Sequence, residues 1–294
     1  MNAALETPSH GARILNVTEA EYFADPCPMP SLSQSIARVL VTESPRHAWL
    51  RHPRLGKQPE EATAALDDGS ILHKLLLGKG ASVEIIAADS YRGKAAQELR
   101  DAATAAGRIP ILAARYTELA KAAQLLRQQS AALGFALTGQ SEVALEWSEG
   151  DDDPVLCRGR LDHVFLDRGI IYDVKKTRSA NPFYLRRKFV ELGYDIQYAA
   201  YTRALAKLTP EFEGRVDFVF LFMEIEPPYS VVPVRPDGAF REIGSMRWQR
   251  AVEIWRKCLA ADAWPSYCDS AITLDAPVWV INQELGNQYE GDGQ

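Results

Sequence analysis

Residues 155–176 read VLCRGRLDHVFLDRGIIYDVKK, and no other stretch restricts the fold as tightly. Two runs rich in Val, Ile, Leu, Phe and Tyr flank Asp167-Arg168-Gly169, so the segment predicts an antiparallel hairpin. A turn centred on Asp167-Arg168 puts Asp162 directly opposite Asp173, whereas other turns shift the register by a residue or two. In that register both carboxylates point to one face and Lys175 joins them two residues along, while His163 points to the other.

Two carboxylates facing each other across a ladder repel, and something must offset that repulsion. A shared proton is one solution; a divalent cation is the commoner one where carboxylates converge. Hard oxygen ligands with sites left for water and phosphate suit Mg²⁺ or Mn²⁺. A lysine beside such a cation can hold the attacking water and stabilise a phosphorane, so metal-assisted phosphodiester hydrolysis is the expected chemistry. The alternative is a pair of exposed acids balanced by Arg160 and Lys175. IIYDVKK favours the site, because it places Asp173 at the end of a buried-looking strand, where sites are commonly built.

The rest of the chain supplies the layers for such a hairpin. Ser33 is expected to cap a helix through Val41, and Ser44-Pro45 opens another. Residues 53–66 read as a loop, and DDGSILHKLLLG as a short helix ended by Gly78. Helices follow at 92–106 and 111–133, separated by Pro110. SEVALEW at 141–147 alternates as a half-buried strand. Further helices are expected at 182–191, 194–208 and 240–261, and strands at 215–226 and 229–235 around Pro227-Pro228. The pattern predicts an α/β (α+β) fold: a central mixed sheet, its hairpin carrying the acids, flanked by helices. Residues 1–30 are expected to be an N-terminal arm, 31–268 the domain, and 269–294 a C-terminal tail.

With 47% apolar residues the chain can bury a core, and its formal charge of −6 argues against a wide basic coat for nucleic acid. A narrow basic channel is still allowed, since local potential governs what a cleft attracts. The cations do cluster: Arg46, Arg51, Arg54 and Lys57; Arg158 and Arg160; and Lys175 through Lys188. Arg158, Arg160, Lys176 and Arg178 are therefore candidate DNA contacts. Cys27, Cys157, Cys258 and Cys268 form no CxxC pair, so neither a zinc site nor an iron–sulfur cluster is expected. With no secretory leader and no long apolar run, the expected location is cytoplasmic, away from membranes.

GRLDHVF followed by IIYDVKKT resembles the split Asp…(Asp/Glu)-x-Lys motif of the PD-(D/E)xK nucleases, with their restriction-endonuclease-like core. The likeness is greatest to the RecB-like branch and to the nuclease domain of the exodeoxyribonuclease VIII (RecE) type. GSILHKLLLG resembles that branch's upstream G-x-x-x-H helix, SEVALEW its preceding strand, and DIQYAAY its Gln-x-x-x-Tyr helix. SLSQSIARVLVTESPRHAW is similar to the group's opening helices, and the likeness runs from about residue 30 to about 268. Lys176 departs from it, standing where relatives often have Thr.

The resemblance implies that His73, Asp162, Asp173 and the Val174 carbonyl hold Mg²⁺ or Mn²⁺, and that Lys175 orients the water. Gln197 and Tyr201 would contact DNA or brace the site, and Glu142 would reach the metal through water or bind Arg160. Taken alone, His73 and Tyr201 read as core residues. The resemblance also implies an exonuclease that degrades linear double-stranded DNA from an end, 5′ to 3′, in phage-type recombination. It further implies a homo-oligomeric ring and a single-strand annealing protein as partner. The alternatives are a single-strand or flap nuclease working with a separate helicase, and a non-catalytic DNA-binding module of the same fold.

Overall fold

The computed structural model describes residues 11–56, 64–80 and 82–284. Lys57, much of the expected 53–66 loop, and the two chain ends lie outside the described residues. The first elements are β1 (Ala12–Leu15), α1 (Glu19–Phe23), β2 (Leu32–Ser33), α2 (Gln34–Thr42), α3 (Pro45–Arg51) and α4 (Ala64–Leu77). Next come β3 (Val83–Ile86), α5 (Lys94–Ala105), β4 (Ile109–Leu112) and α6 (Ala113–Ala132). Then follow β5 (Gln140–Glu149), β6 (Val155–Phe165), β7 (Ile170–Thr177), α7 (Pro182–Glu191) and α8 (Tyr194–Leu208). The described chain closes with β8 (Asp217–Glu224), β9 (Val231–Val234), α9 (Gly238–Ala261) and α10 (Val278–Glu284).

The main sheet runs β1-β5-β6-β7-β8-β9, with β2 beside β6. It is mixed: β7 pairs parallel with β8 and β2 with β6, and the other pairs are antiparallel. β8 explains the layering. Its DFVFLFME is almost continuously apolar, as a strand covered on both faces must be. Phe218, Phe220 and Phe222 join the core with α2, α8 and α9, while Val219, Leu221 and Met223 pack with α4 and α6 on the other side. No helix among the described residues is long and apolar enough to cross a membrane.

Within the expected N-terminal arm, residues 11–30 contribute regular elements. Ala12–Leu15 pair with Ala144–Trp147 and close one edge of the sheet, and Thr18 opens α1 with a capping box to Glu21. The helices expected at 92–106 and 111–133 form, but Pro110 lies in β4, which pairs parallel with β3 in a separate ribbon. These strands of four residues each carry too little alternation to stand out between helical runs.

Candidate active site

The hairpin register is the expected one, and the site lies where it fails. His163, Val164 and Phe165 pair with Tyr172, Ile171 and Ile170, and the ladder then stops, one step short of Asp162 and Asp173. Beyond that point the Val174 N–H donates to Asp162 Oδ2 at 2.9 Å. The two strands part, and a side chain fills the fork.

On the other side of β6, Ser141 pairs with His163 and Val143 with Leu161, so Glu142 sits across from Asp162. Glu142 has φ of 55°, the left-handed region that costs a non-glycine residue energy and is found at functional sites. Glu142, Asp162 and Asp173 thus form a row across three adjacent strands, with Lys175 beyond.

Helices deliver the remaining groups from both faces. On α4, Ile71, Leu72 and Leu76 are buried, and this anchors the half-exposed His73 over the end of the row. His73 Nε2 donates to the Val174 carbonyl at 3.0 Å and lies 3.8 Å from Asp162 Oδ2; Nδ1 lies 3.8 Å from Glu142 Oε1. From α8, Gln197 Nε2 donates to Asp173 Oδ2 at 2.5 Å. Lys175 Nζ reaches Asp173 Oδ1 at 2.5 Å and stands 5.4 Å from the centre of the Tyr194 ring.

The electrostatics follow from this crowding. Asp173 is fully buried, and burial pushes its pKa up to about 7 against the pull of Lys175. Burial works against a charged His73, yet Asp162 and Glu142 carry its pKa up to about 9. Lys175 is likewise disfavoured by burial but held above its ordinary value by Asp173 and Asp162.

His73, Glu142 and Asp162 each offer a ligand atom, all within 4.8 Å of one another. Asp173 stands just behind this trio, engaged by Gln197 and Lys175. Two buried oxygens, Asp173 Oδ1 and Glu142 Oε2, meet a cationic side chain but accept no well-aligned hydrogen bond. An imidazole, carboxylates and the Val174 carbonyl form a donor set that fits Mg²⁺ or Mn²⁺.

The other expected residues fall differently. Arg158 is corrected as a DNA contact: it is buried, and NH1 donates to Ser31 O and Oγ at 2.8 and 2.7 Å and pairs with Asp25 at 3.2 Å. Arg160 bridges Glu142 (2.7 Å) and Glu19 (3.1 Å) under the rings of Tyr22 and Phe23. Tyr201 is buried with its ring over Gly159, where a Cβ would come within 2.7 Å of it. Its ring packs against β6 at that glycine, within reach of the charges of Asp173 and Asp162. Arg178 is exposed and Lys176 half-buried, just beyond the site. Sequence reading missed Glu19 and Tyr22, because α1 is short and carries no motif of its own.

The chain belongs to a family described as a PDDEXK-like domain of unknown function (DUF3799), whose model matches residues 38–277. No curated protein matches it. Among solved structures it is similar to a candidate exonuclease from Eubacterium rectale, at 14% identity and a TM-score of 0.59, over 92% of this chain and 99% of that one. A phage-related exonuclease from Haemophilus somnus 129PT matches at 11% identity and a TM-score of 0.31, over 82% and 99%. The first of these likenesses, with the family, establishes the restriction-endonuclease-like α/β fold.

Proposed function

We propose that the chain is a Mg²⁺- or Mn²⁺-dependent deoxyribonuclease acting on linear double-stranded DNA from an end. The carrying observation is the convergence of His73, Glu142 and Asp162 within 4.8 Å beside the Asp173–Lys175 pair. So many carboxylates repel a phosphodiester, and a DNA-binding site built this way needs a divalent cation between acids and phosphate.

His73, Glu142, Asp162 and the Val174 carbonyl would hold that cation, with Asp173 adjoining. When bound, it supplies Lewis-acid stabilisation of the phosphoryl oxygens and a lowered pKa for water. Lys175 is placed to hold the attacking water and to stabilise the charge that develops on phosphorus. The water oxygen bonds to phosphorus as the ester P–O bond breaks; one water proton passes to a carboxylate of the row or to solvent, and the leaving alkoxide takes up a proton from solvent to depart as a hydroxyl. Gln197 fixes Asp173 from α8, so the lysine partner cannot rotate away.

Strand polarity of 5′ to 3′, a ring around the duplex and an annealing partner extend this reading through the RecE-type likeness. Encirclement would let a chain of net charge −6 retain DNA without broad electrostatic affinity. The test incubates end-labelled linear duplex and closed circular DNA with Mg²⁺ or EDTA, beside Lys175→Ala. Mg²⁺-dependent loss of the linear duplex alone, abolished by the substitution, is expected, and the label released first gives the polarity. A folded protein that cuts neither DNA with Mg²⁺ or Mn²⁺ overturns the catalytic reading.

A further inference from the structure

Immediately after the strand that carries Lys175, the chain builds a rigid frame around an aromatic side chain that points into solvent. Thr177 Oγ1 donates to Ser179 O at 2.9 Å, and the Ala180 N–H donates to Glu224 Oε1 at 2.6 Å. Asn181 then caps α7 by accepting from the Phe183 N–H at 2.9 Å, with Pro182 in the first turn. Leu185 and Phe189 bury the inner face of α7, and Phe183 on its outer face is 80% exposed. An aromatic ring this exposed, carried on a backbone fixed by these bonds, invites a ligand.

Its surroundings indicate which. Arg186 and Arg187 lie three and four positions along α7 and so share the outer face with Phe183. Both are exposed, as is Arg178 on the loop before the helix, and none of the three is in an ion pair among the described residues. Inward from Phe183 comes Tyr184, 38% exposed, and then Tyr194, which senses the charges of Lys175 and Asp173 as well as Tyr184 and Arg38. Phe183 stands eight positions beyond Lys175, so their Cα atoms are at most about 28 Å apart, a span of a few nucleotides. Aromatic rings interleaved with unpaired arginines match the two needs of an unpaired strand, a flat surface for bases and cations for phosphates.

We infer that Phe183, with Arg186 and Arg187, forms a stacking platform for unpaired nucleotides leaving or approaching the reaction centre. The inference rests on the nuclease reading of that centre and adds the substrate form it handles: bases released from the duplex near the cut. A protein partner is the competing occupant, because a cavity of about 200 Å³ lined by Leu185, Phe189, Val234 and Phe240, and also by Arg186, Arg235 and Asp237, adjoins the platform. The three arginines favour phosphate.

The experiment measures binding of a fluorescein-labelled oligothymidylate by anisotropy in EDTA, where no cleavage occurs, for wild type, Phe183→Ala, Phe183→Leu and Phe183→Trp. Thermal melts check folding, and sedimentation equilibrium gives the mass. The Ala and Leu variants are expected to bind roughly 5- to 100-fold more weakly, while Trp retains affinity and its fluorescence is quenched by the bases. Equal affinity across the four proteins overturns the inference. So does a mass that changes in the Ala variant while oligonucleotide affinity holds, which would assign the ring to a protein contact. Wild-type cleavage in Mg²⁺ tests the nuclease reading separately, so either can fail without the other.

Discussion

Two clusters in this protein are built from the same kinds of residue and behave in opposite ways. In one, Asp25, His52, Ser31 and Arg158 are buried together. Asp25 accepts from Ser31 Oγ (2.7 Å) and Ser31 N (2.9 Å), and lies 3.3 Å from His52 Nε2 and 3.2 Å from Arg158 NH1. Burial alone would raise the Asp25 pKa, but His52, Arg158 and Ser31 outweigh it and hold the carboxyl below its usual range. In the other cluster, Glu142, Asp162 and Asp173 share His73, Lys175 and Arg160, and Asp173 is pushed up to about 7. One acid amid donors makes a structural joint; three acids crowded into a row make a site with oxygens to spare for a cation.

Substitutions can break the contrast. Lys175→Ala or Asp173→Asn should reduce cleavage by at least about 10³-fold. Asp173→Asn relieves repulsion in the carboxylate row and should leave the melting temperature unchanged or higher, whereas Lys175→Ala strips the buried Asp173 of its cation and should lower it. A combined activity assay and thermal melt checks this; loss of folding with Asp173→Asn would place the row among the structural joints. Asp25→Ala should do the reverse. Leaving Arg158 buried without its acid should cost about 3–5 kcal/mol in urea unfolding, with cleavage retained wherever the protein is folded.

Protons sharpen it further. His73 and Asp173, with pKa values near 9 and 7, must lose protons for a divalent cation to bind. Mn²⁺ affinity followed by calorimetry should therefore rise with pH between 6 and 8, by up to about tenfold per unit for each proton released. A flat profile would remove His73 and Asp173 from the site. The smallest effect concerns His163, whose Nε2 accepts from the Gly139 N–H at 2.7 Å and cannot also carry a proton. Burial lowers its pKa to about 4, so the unfolded chain binds the extra proton between about 6.5 and 4. Stability should be complete above that window and fall by no more than about 3 kcal/mol across it. His163→Gln should flatten that part of the pH–stability curve.

Much of this was legible in the sequence, for identifiable reasons. Alternation and the Asp167-Arg168-Gly169 turn set the register, and caps at Ser33, Asn181 and Asp237 start helices near their expected places. What escaped was long-range. Arg158 and Arg160 are two apart and so share a strand face, and nothing local says that residues 25–31 cover one of them. Glu142 adopts its left-handed backbone in the middle of a strand, where no glycine or turn residue marks the position in the sequence. His73 sits in an apolar helix that reads as core until α4 is docked over β7.

The four residues of β1 carry one more consequence. A sheet ending at β5 would present an unpaired row of main-chain donors and acceptors along Ala144–Trp147, a template for strands of other molecules. With β1 in place the terminal strand has 4 residues instead of the 10 of β5, and so offers a shorter template. A shortened protein beginning at residue 30 would lose Asp25 from beneath Arg158 and would be expected to aggregate through the bared edge.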